Sequence, residues 1–205
     1  MTGIDIVKRK NYFCDFIKDD SISYLMDNYQ HFDFIHASPP CQKYSKATAN
    51  ERKKGKEYAD LIEATRTALL ATGKPFVIEN VDQAPIRKDL VLRGEMFGLK
   101  VIRSRSFEFG NIEFTAAAPS FIPISVMKGE AVTIYGKGGS FKKTGHGNNS
   151  ERHLIIPEWR LPTVRQTWAY AMGVQHYTTD LELSESIPPA YTKFIGENII
   201  GTFKK

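Results

Sequence analysis

An α/β fold is what this sequence predicts, and three observations carry the prediction. The run Phe32-Asp33-Phe34-Ile35-His36-Ala37 is apolar enough to read as a buried strand. Tyr58, Leu61, Ile62, Thr65 and Leu69 then recur at helical spacing and lay a single apolar stripe, which Gly73 and Pro75 end. A second short apolar run, Pro75-Phe76-Val77-Ile78-Glu79-Asn80-Val81, follows at once. Strand, helix and strand with short joins predict a right-handed parallel unit whose strands emerge at one sheet edge. Ligands of open α/β sheets bind in the crevice there.

The other elements follow in order. Asp19-Asp20-Ser21 offers a cap for a short helix carrying Ile22, Leu25 and Met26, which leads into the Phe32 strand. Residues 46 to 56 are polar and charged, Glu51-Arg52-Lys53-Lys54-Gly55-Lys56 above all, and read as a solvated loop. From Asn111 to about Arg160 helical patterns give way to Gly, Ser, Lys and Asn. Within that stretch Tyr135-Gly136-Lys137-Gly138-Gly139-Ser140-Phe141-Lys142-Lys143 reads as a basic loop with aromatic edges. Trp159, Trp168, Tyr170 and Met172 are expected to pack rather than stack on a ligand. Tyr191 to Ile200 is helical in pattern and is expected to return to the main sheet. The chain thus divides into a core over 1–110, a loop-rich insertion over 111–160 and a closing segment over 161–205.

Composition narrows the function classes. The 205 residues suit one domain with a modest appendage. A formal charge of +5 and a pI near 9.1 suit a polyanionic partner. No run is long and apolar enough to cross a bilayer, and the N-terminus lacks a secretory pattern, so a cytoplasmic protein with no membrane partner is expected. Cys14 and Cys41 have neither metal nor redox spacing, and His146 and His153 match no zinc pattern, so no metal is expected.

The most informative stretch is Ser38-Pro39-Pro40-Cys41-Gln42. Two prolines force a stiff turn straight after a buried strand, and a thiol follows. A cysteine so placed can be a nucleophile or a buried structural thiol, and the motif alone leaves both open. A thiol hydrolase would need a histidine base partnered to Cys41. His36 lies five residues before it on the same strand, with no evident Asn or Asp partner.

Pro39-Pro40-Cys41-Gln42 at one strand end and Glu79-Asn80-Val81 at the next together resemble the cytosine-C5 DNA methyltransferase family, and Ala37-Ser38-Pro39-Pro40-Cys41-Gln42 is similar to its short, phage-type members. Arg103-Ser104-Arg105 before Phe107 resembles the family's paired-arginine motif, with Val101 where a glutamine is usual. Met172-Gly173-Val174 and Ser186 to Gly196 resemble its C-terminal motif and closing helix, with Glu185 where an asparagine is common.

The resemblance implies a Rossmann-like methyltransferase sheet with a small target-recognition insertion at 111–160. It implies double-stranded DNA as substrate and S-adenosylmethionine as cofactor, in a bacterial or phage-infected cell. Cys41 would add to C6 of cytosine, and Glu79 would hold N3 and the exocyclic amine. Arg103 and Arg105 would favour the thiolate, neutralise phosphate or reach O2. Gln42, Ser45 and Asn80 would contact substrate, with Asn80 better suited to fixing the loop. Asp5 would hold the cofactor ribose and Asp20 the adenine, while Pro39 and Pro40 would wall the cofactor side. The 46–56 segment would be mobile over the DNA, its charge serving phosphate contact. The family's first strand and glycine-rich turn have no counterpart before Asp5, and Gly136-Lys137-Gly138-Gly139 is no substitute. The sheet therefore reads as N-terminally truncated, which implies a complementing polypeptide or a DNA-binding remnant without turnover.

Overall fold

The computed structural model describes residues 1–9, 12–134, 157–177 and 179–203. The basic loop 135–143, His146 and His153 lie outside the described residues.

The chain divides into two compact units. The first takes in Met1–Val91 and Arg105–Ala116; the second takes in Leu92–Ser104 and Ala117–Lys204. In the first unit, strands β1 (Thr2–Asp5) and β2 (Asp15–Lys18) pair in parallel as a sheet of their own. Helix α1 (Ser21–Asn28) follows, capped by Asp20, whose carboxylate accepts the Ser23 N–H at 2.9 Å.

The expected strand–helix–strand unit is present. β3 (Ile35–Ala37) pairs in parallel with β4 (Phe76–Asn80), and α3 (Ile62–Thr72) joins them. The helix starts later than the apolar stripe suggests, because Tyr58 instead turns its hydroxyl to Glu51. It ends where expected: Gly73 adopts φ 66°, a left-handed conformation that suits glycine. All five residues of β4 are buried. Leu25, Ile62, Leu69, Phe76 and Ile78 form the core between α1, α3 and the sheet, and Cys41 and Tyr44 pack on its margin.

β6 (Arg105–Gly110) runs antiparallel to β4, and β5 (Leu90–Leu92) completes the mixed sheet in the order β3-β4-β6-β5. Glu108 on β6 is fully buried and holds this unit together. Arg66 of α3 grips it through both oxygens, at 2.8 Å each, and the Arg87 backbone N–H donates at 2.9 Å.

Residues 46–56 differ from the expected solvated loop. A 3₁₀ turn (Lys46–Thr48) leads into α2 (Ala49–Lys53). The reason is local hydrogen bonding: the Ser45 hydroxyl caps the turn by accepting the Ala47 N–H, and Arg52 folds back on carbonyls upstream.

In the second unit Val101, Val132, Trp168, Ala171, Met172 and Leu183 form a core, and Val101 bridges Val132 in parallel. Trp168 and Met172 pack inside as expected, whereas Tyr170 is exposed, with Lys100 over its ring and over that of Trp159. Helices α4 (Val164–Met172), α5 (Asp180–Glu185) and α6 (Pro189–Ile199) complete the unit. α6 forms where the pattern places it, yet it groups with residues 92–104 rather than with the sheet. Buried Tyr191 packs its ring against Phe97 and donates its hydroxyl to the Arg103 carbonyl.

Candidate active site

Parallel pairing of β3 with β4 sets the site. The register pairs Ala37 with Ile78, so Ser38 continues opposite Glu79 and Pro39 opposite Asn80. Asn80 turns this alignment into a fixed loop. Its side-chain amide donates to the Pro39 carbonyl at 2.9 Å, and its Oδ1 accepts the Val81 N–H at 2.9 Å. Asn80 is thus buried and spent on backbone, one bond to each strand end.

Cys41 follows that anchor. It is half-buried, and its carbonyl accepts the N–H groups of Tyr44 and Ser45 at 2.9 and 2.8 Å, which winds residues 41–45 into a tight turn. Pro39 is buried and Pro40 exposed. The side chain of Ser45 caps the following 3₁₀ turn, and the Gln42 carbonyl accepts from Thr48 and Arg52.

Glu79 is buried on β4 and pairs with Arg105, Nε to Oε1 at 2.9 Å. Antiparallel register explains the meeting. Glu79 stands opposite Phe107, so Arg105, two residues earlier on β6, is its diagonal neighbour on the same face. The structure thus brings Asn80 to the cysteine loop and Arg105 to Glu79. Arg103 belongs to the second unit, where its guanidinium donates to the carbonyls of Ile134, Ser184 and Ser186 at 3.3, 2.8 and 2.6 Å.

Asp5 ends β1. Its carboxylate accepts the Val7 N–H at 2.8 Å and pairs with Arg9 at 2.8 Å. Asp20 caps α1; the Ser23 backbone N–H, then the Ser23 hydroxyl, lower its pKa below the usual carboxylate value. A cavity of about 410 Å³ lies in the second unit against Glu95, Gly98, Phe121 and Ile122, and none of Cys41, Glu79 or Arg105 lines it.

With the cysteine loop and the Glu79–Arg105 pair in place, the chain can be compared with known families. Residues 8–89 match the family model described as C-5 cytosine-specific DNA methylase. Over that segment the chain is similar to the C-5 cytosine-specific DNA methylase family. The matched segment contains Asp20, Cys41, Glu79 and Asn80; Asp5, Arg103 and Arg105 lie outside it. No curated protein matches the sequence. Among the described residues no helix is long and apolar enough to cross a membrane.

Sequence reasoning missed Arg52, which braces the loop after Cys41, and the Arg66–Glu108 pair. Arg52 stands among four other charged residues in 51–56, so nothing in the pattern separates it from its neighbours. A buried acid in the apolar run Phe107-Glu108-Phe109 was the available signal for the second.

Proposed function

We propose that the chain is the catalytic part of a DNA cytosine-C5 methyltransferase, working through a covalent bond between Cys41 and C6 of a flipped cytosine. The observation that carries this reading is the family match over a segment in which one parallel strand pair delivers Cys41 on a braced turn and Glu79 at the adjacent strand end. In this reading the Cys41 thiolate adds to C6 and electron density passes to C5, which takes the methyl group. Loss of the C5 proton then expels the thiolate, so one difficult step is divided into easier ones. Glu79 holds N3 and the exocyclic amine, and Arg105 keeps that carboxyl oriented. Gln42 and Ser45 lie on the turn that would touch the flipped nucleotide, while Asn80 holds the turn to its strand. Of the two arginines, Arg105 is assigned to the site; Arg103 is assigned to holding the second unit, given its three carbonyl partners.

S-adenosylmethionine supplies the methyl group when bound. Asp5 and Asp20 fit the ribose hydroxyls and the adenine amine. Each carboxylate has about four lone-pair positions, and the contacts to Val7, Arg9 and Ser23 leave some free. Pro39 and Pro40 form the rigid wall on that side. The exposed lysines of 46–56, the 111–160 region and the net charge of +5 suit the DNA backbone.

A partner strand belongs to this proposal. No ladder joins β1–β2 to the four-stranded sheet among the described residues, yet α1 packs against both β1 and α3. A parallel strand supplied by a complementing polypeptide, entering between β1 and β3 and ending in a glycine-rich turn, would join the two sheets and complete the cofactor crevice. The separate sheets also favour a second reading, a DNA-binding protein without turnover.

One experiment separates them. The chain is incubated with labelled S-adenosylmethionine and a cytosine-containing duplex, alone and with a peptide carrying an apolar strand and glycine-rich turn. Labelled DNA, lost in Cys41→Ser, supports the enzyme. Shifted but unlabelled DNA under both conditions supports the binder. Undiminished label in Cys41→Ser refutes the covalent route.

A further inference from the structure

Arg52 sits in a strongly cationic stretch of the chain but faces inward. Lys53, Lys54 and Lys56 are exposed, and Lys56 pairs with Glu51, whereas Arg52 is half-buried. Its Nη1 lies 2.8 Å from the Gln42 carbonyl, 2.8 Å from the Ser45 carbonyl and 2.6 Å from the Thr48 hydroxyl. That hydroxyl lies 2.5 Å from the Gln42 carbonyl and 3.1 Å from the Ser45 carbonyl and shares its single proton between them. The same turn, residues 41–45, is closed at its start by Tyr44 and Ser45 N–H groups on the Cys41 carbonyl. One guanidinium nitrogen therefore ties the exit of the cysteine turn to the first helix after it.

We propose that Arg52 is a positioning residue which fixes the backbone carrying Cys41, and not a phosphate contact. The catalytic part of this inference rests on the function proposed above; the positional part does not. Carbonyl oxygens are poor partners for a mobile side chain in water, since solvent competes for both. A charged donor held by three acceptors at once gains from their mutual placement, because Thr48 orders the same two carbonyls that Arg52 needs. Displacing a nucleophile by about 1 Å can cost on the order of 10²-fold in rate. The brace thus has a catalytic consequence without touching substrate.

The test uses the full chain in a Cys14→Ser background, which leaves Cys41 as the single thiol. Alkylation of Cys41 by iodoacetamide is timed without DNA or cofactor. Arg52→Ala is expected to alkylate about tenfold faster than its parent, and Arg52→Lys, which keeps a charged donor, within about threefold of it. Thr48→Val should shift in the same direction as Arg52→Ala and by less, which keeps the inference testable if Arg52→Ala fails to fold. Lys53→Ala/Lys54→Ala should alkylate at the parent rate. In duplex binding, Arg52→Ala should keep the parent's salt dependence, whereas a lost phosphate contact lowers the slope by about one. Where the labelled assay reports turnover, Arg52→Ala should lower kcat about 10- to 100-fold with KM within twofold. Parent-like alkylation in both Arg52→Ala and Thr48→Val, or a salt slope reduced by about one, overturns the inference. Either result leaves the proposed function standing, because that reading is decided separately, by whether the duplex is labelled and whether Cys41→Ser loses the label.

Discussion

Glu108→Gln is the perturbation that best tests how the sheet is held. Glu108 is 1 % exposed and receives three hydrogen bonds from charged or backbone donors: Arg66 Nε and Nη2 at 2.8 Å each and the Arg87 N–H at 2.9 Å. Arg66 also donates to the Pro85 carbonyl at 3.1 Å, so α3, the turn at 85–87 and β6 converge on one carboxylate. Glutamine keeps the shape but swaps one acceptor oxygen for a donor, which must then face another donor. Arg66 is 18 % exposed and keeps its pair with Glu63, so the cost is that of buried donors losing an acceptor, about 1–3 kcal/mol. For a chain of this size each kcal/mol lowers Tm by about 2–4 °C, so the variant should melt roughly 2–12 °C below the parent.

The pH dependence supplies an independent arm. Burial pushes the Glu108 carboxyl upward, but the hydrogen bonds and charge of Arg66, with the N–H and charge of Arg87, outweigh it and leave its pKa below the ordinary value of 4.5. A carboxyl depressed in the folded state lends stability above its unfolded pKa and loses it as the pH falls through the folded one. Thermal melts between pH 7 and pH 3 should therefore show parent and Glu108→Gln curves converging below about pH 4.5. Arg66→Met/Glu108→Leu should be less destabilised than either single change, since both charges leave together. A Glu108→Gln loss below about 1 kcal/mol, or parallel pH curves, would refute the reasoning.

Two further expectations follow from the same kind of contact. Glu79→Gln retains an oxygen that can accept from Arg105, so the fold should survive; labelled methyl transfer should fall about 10²–10⁴-fold with duplex affinity within threefold, and unaltered transfer would remove Glu79 from the chemistry. Tyr44 is pushed up to about 12 by burial, then by its hydrogen bond to Asp60 and that group's charge. A phenol raised in the folded state leaves stability intact below pH 10 and loses it as pH climbs towards 12, so the parent's Tm should fall more steeply than that of Asp60→Asn over that range; equal slopes would count against the pairing.

What could be read from sequence and what could not divide along physical lines. The β3–α3–β4 unit was legible because each part satisfies a periodic rule by itself: an apolar run, a helical stripe, a glycine that must adopt φ 66°. The Cys41 and Glu79 positions came with it, since parallel strands place their ends at one edge. Arg52 was not legible because its partners are backbone carbonyls, which every residue possesses and no residue type announces. The separation of β1–β2 from the larger sheet was equally hidden; strands of four residues fix no neighbours beyond their own pair.

The two arginines show the limit most sharply. Residues two apart on a strand share a face, so Arg103 and Arg105 should act together if both lie on β6. β6 begins at Arg105, and the first unit resumes at that same residue. Arg105 therefore obeys strand alternation and meets Glu79 through the antiparallel register. Arg103 precedes the strand, where alternation has no force, and its direction is set by the carbonyls of Ile134, Ser184 and Ser186. A two-residue spacing is thus a statement about function only where a ladder enforces it. In the function proposed above, the catalytic role of the Arg-Ser-Arg pattern therefore goes to the arginine inside the ladder.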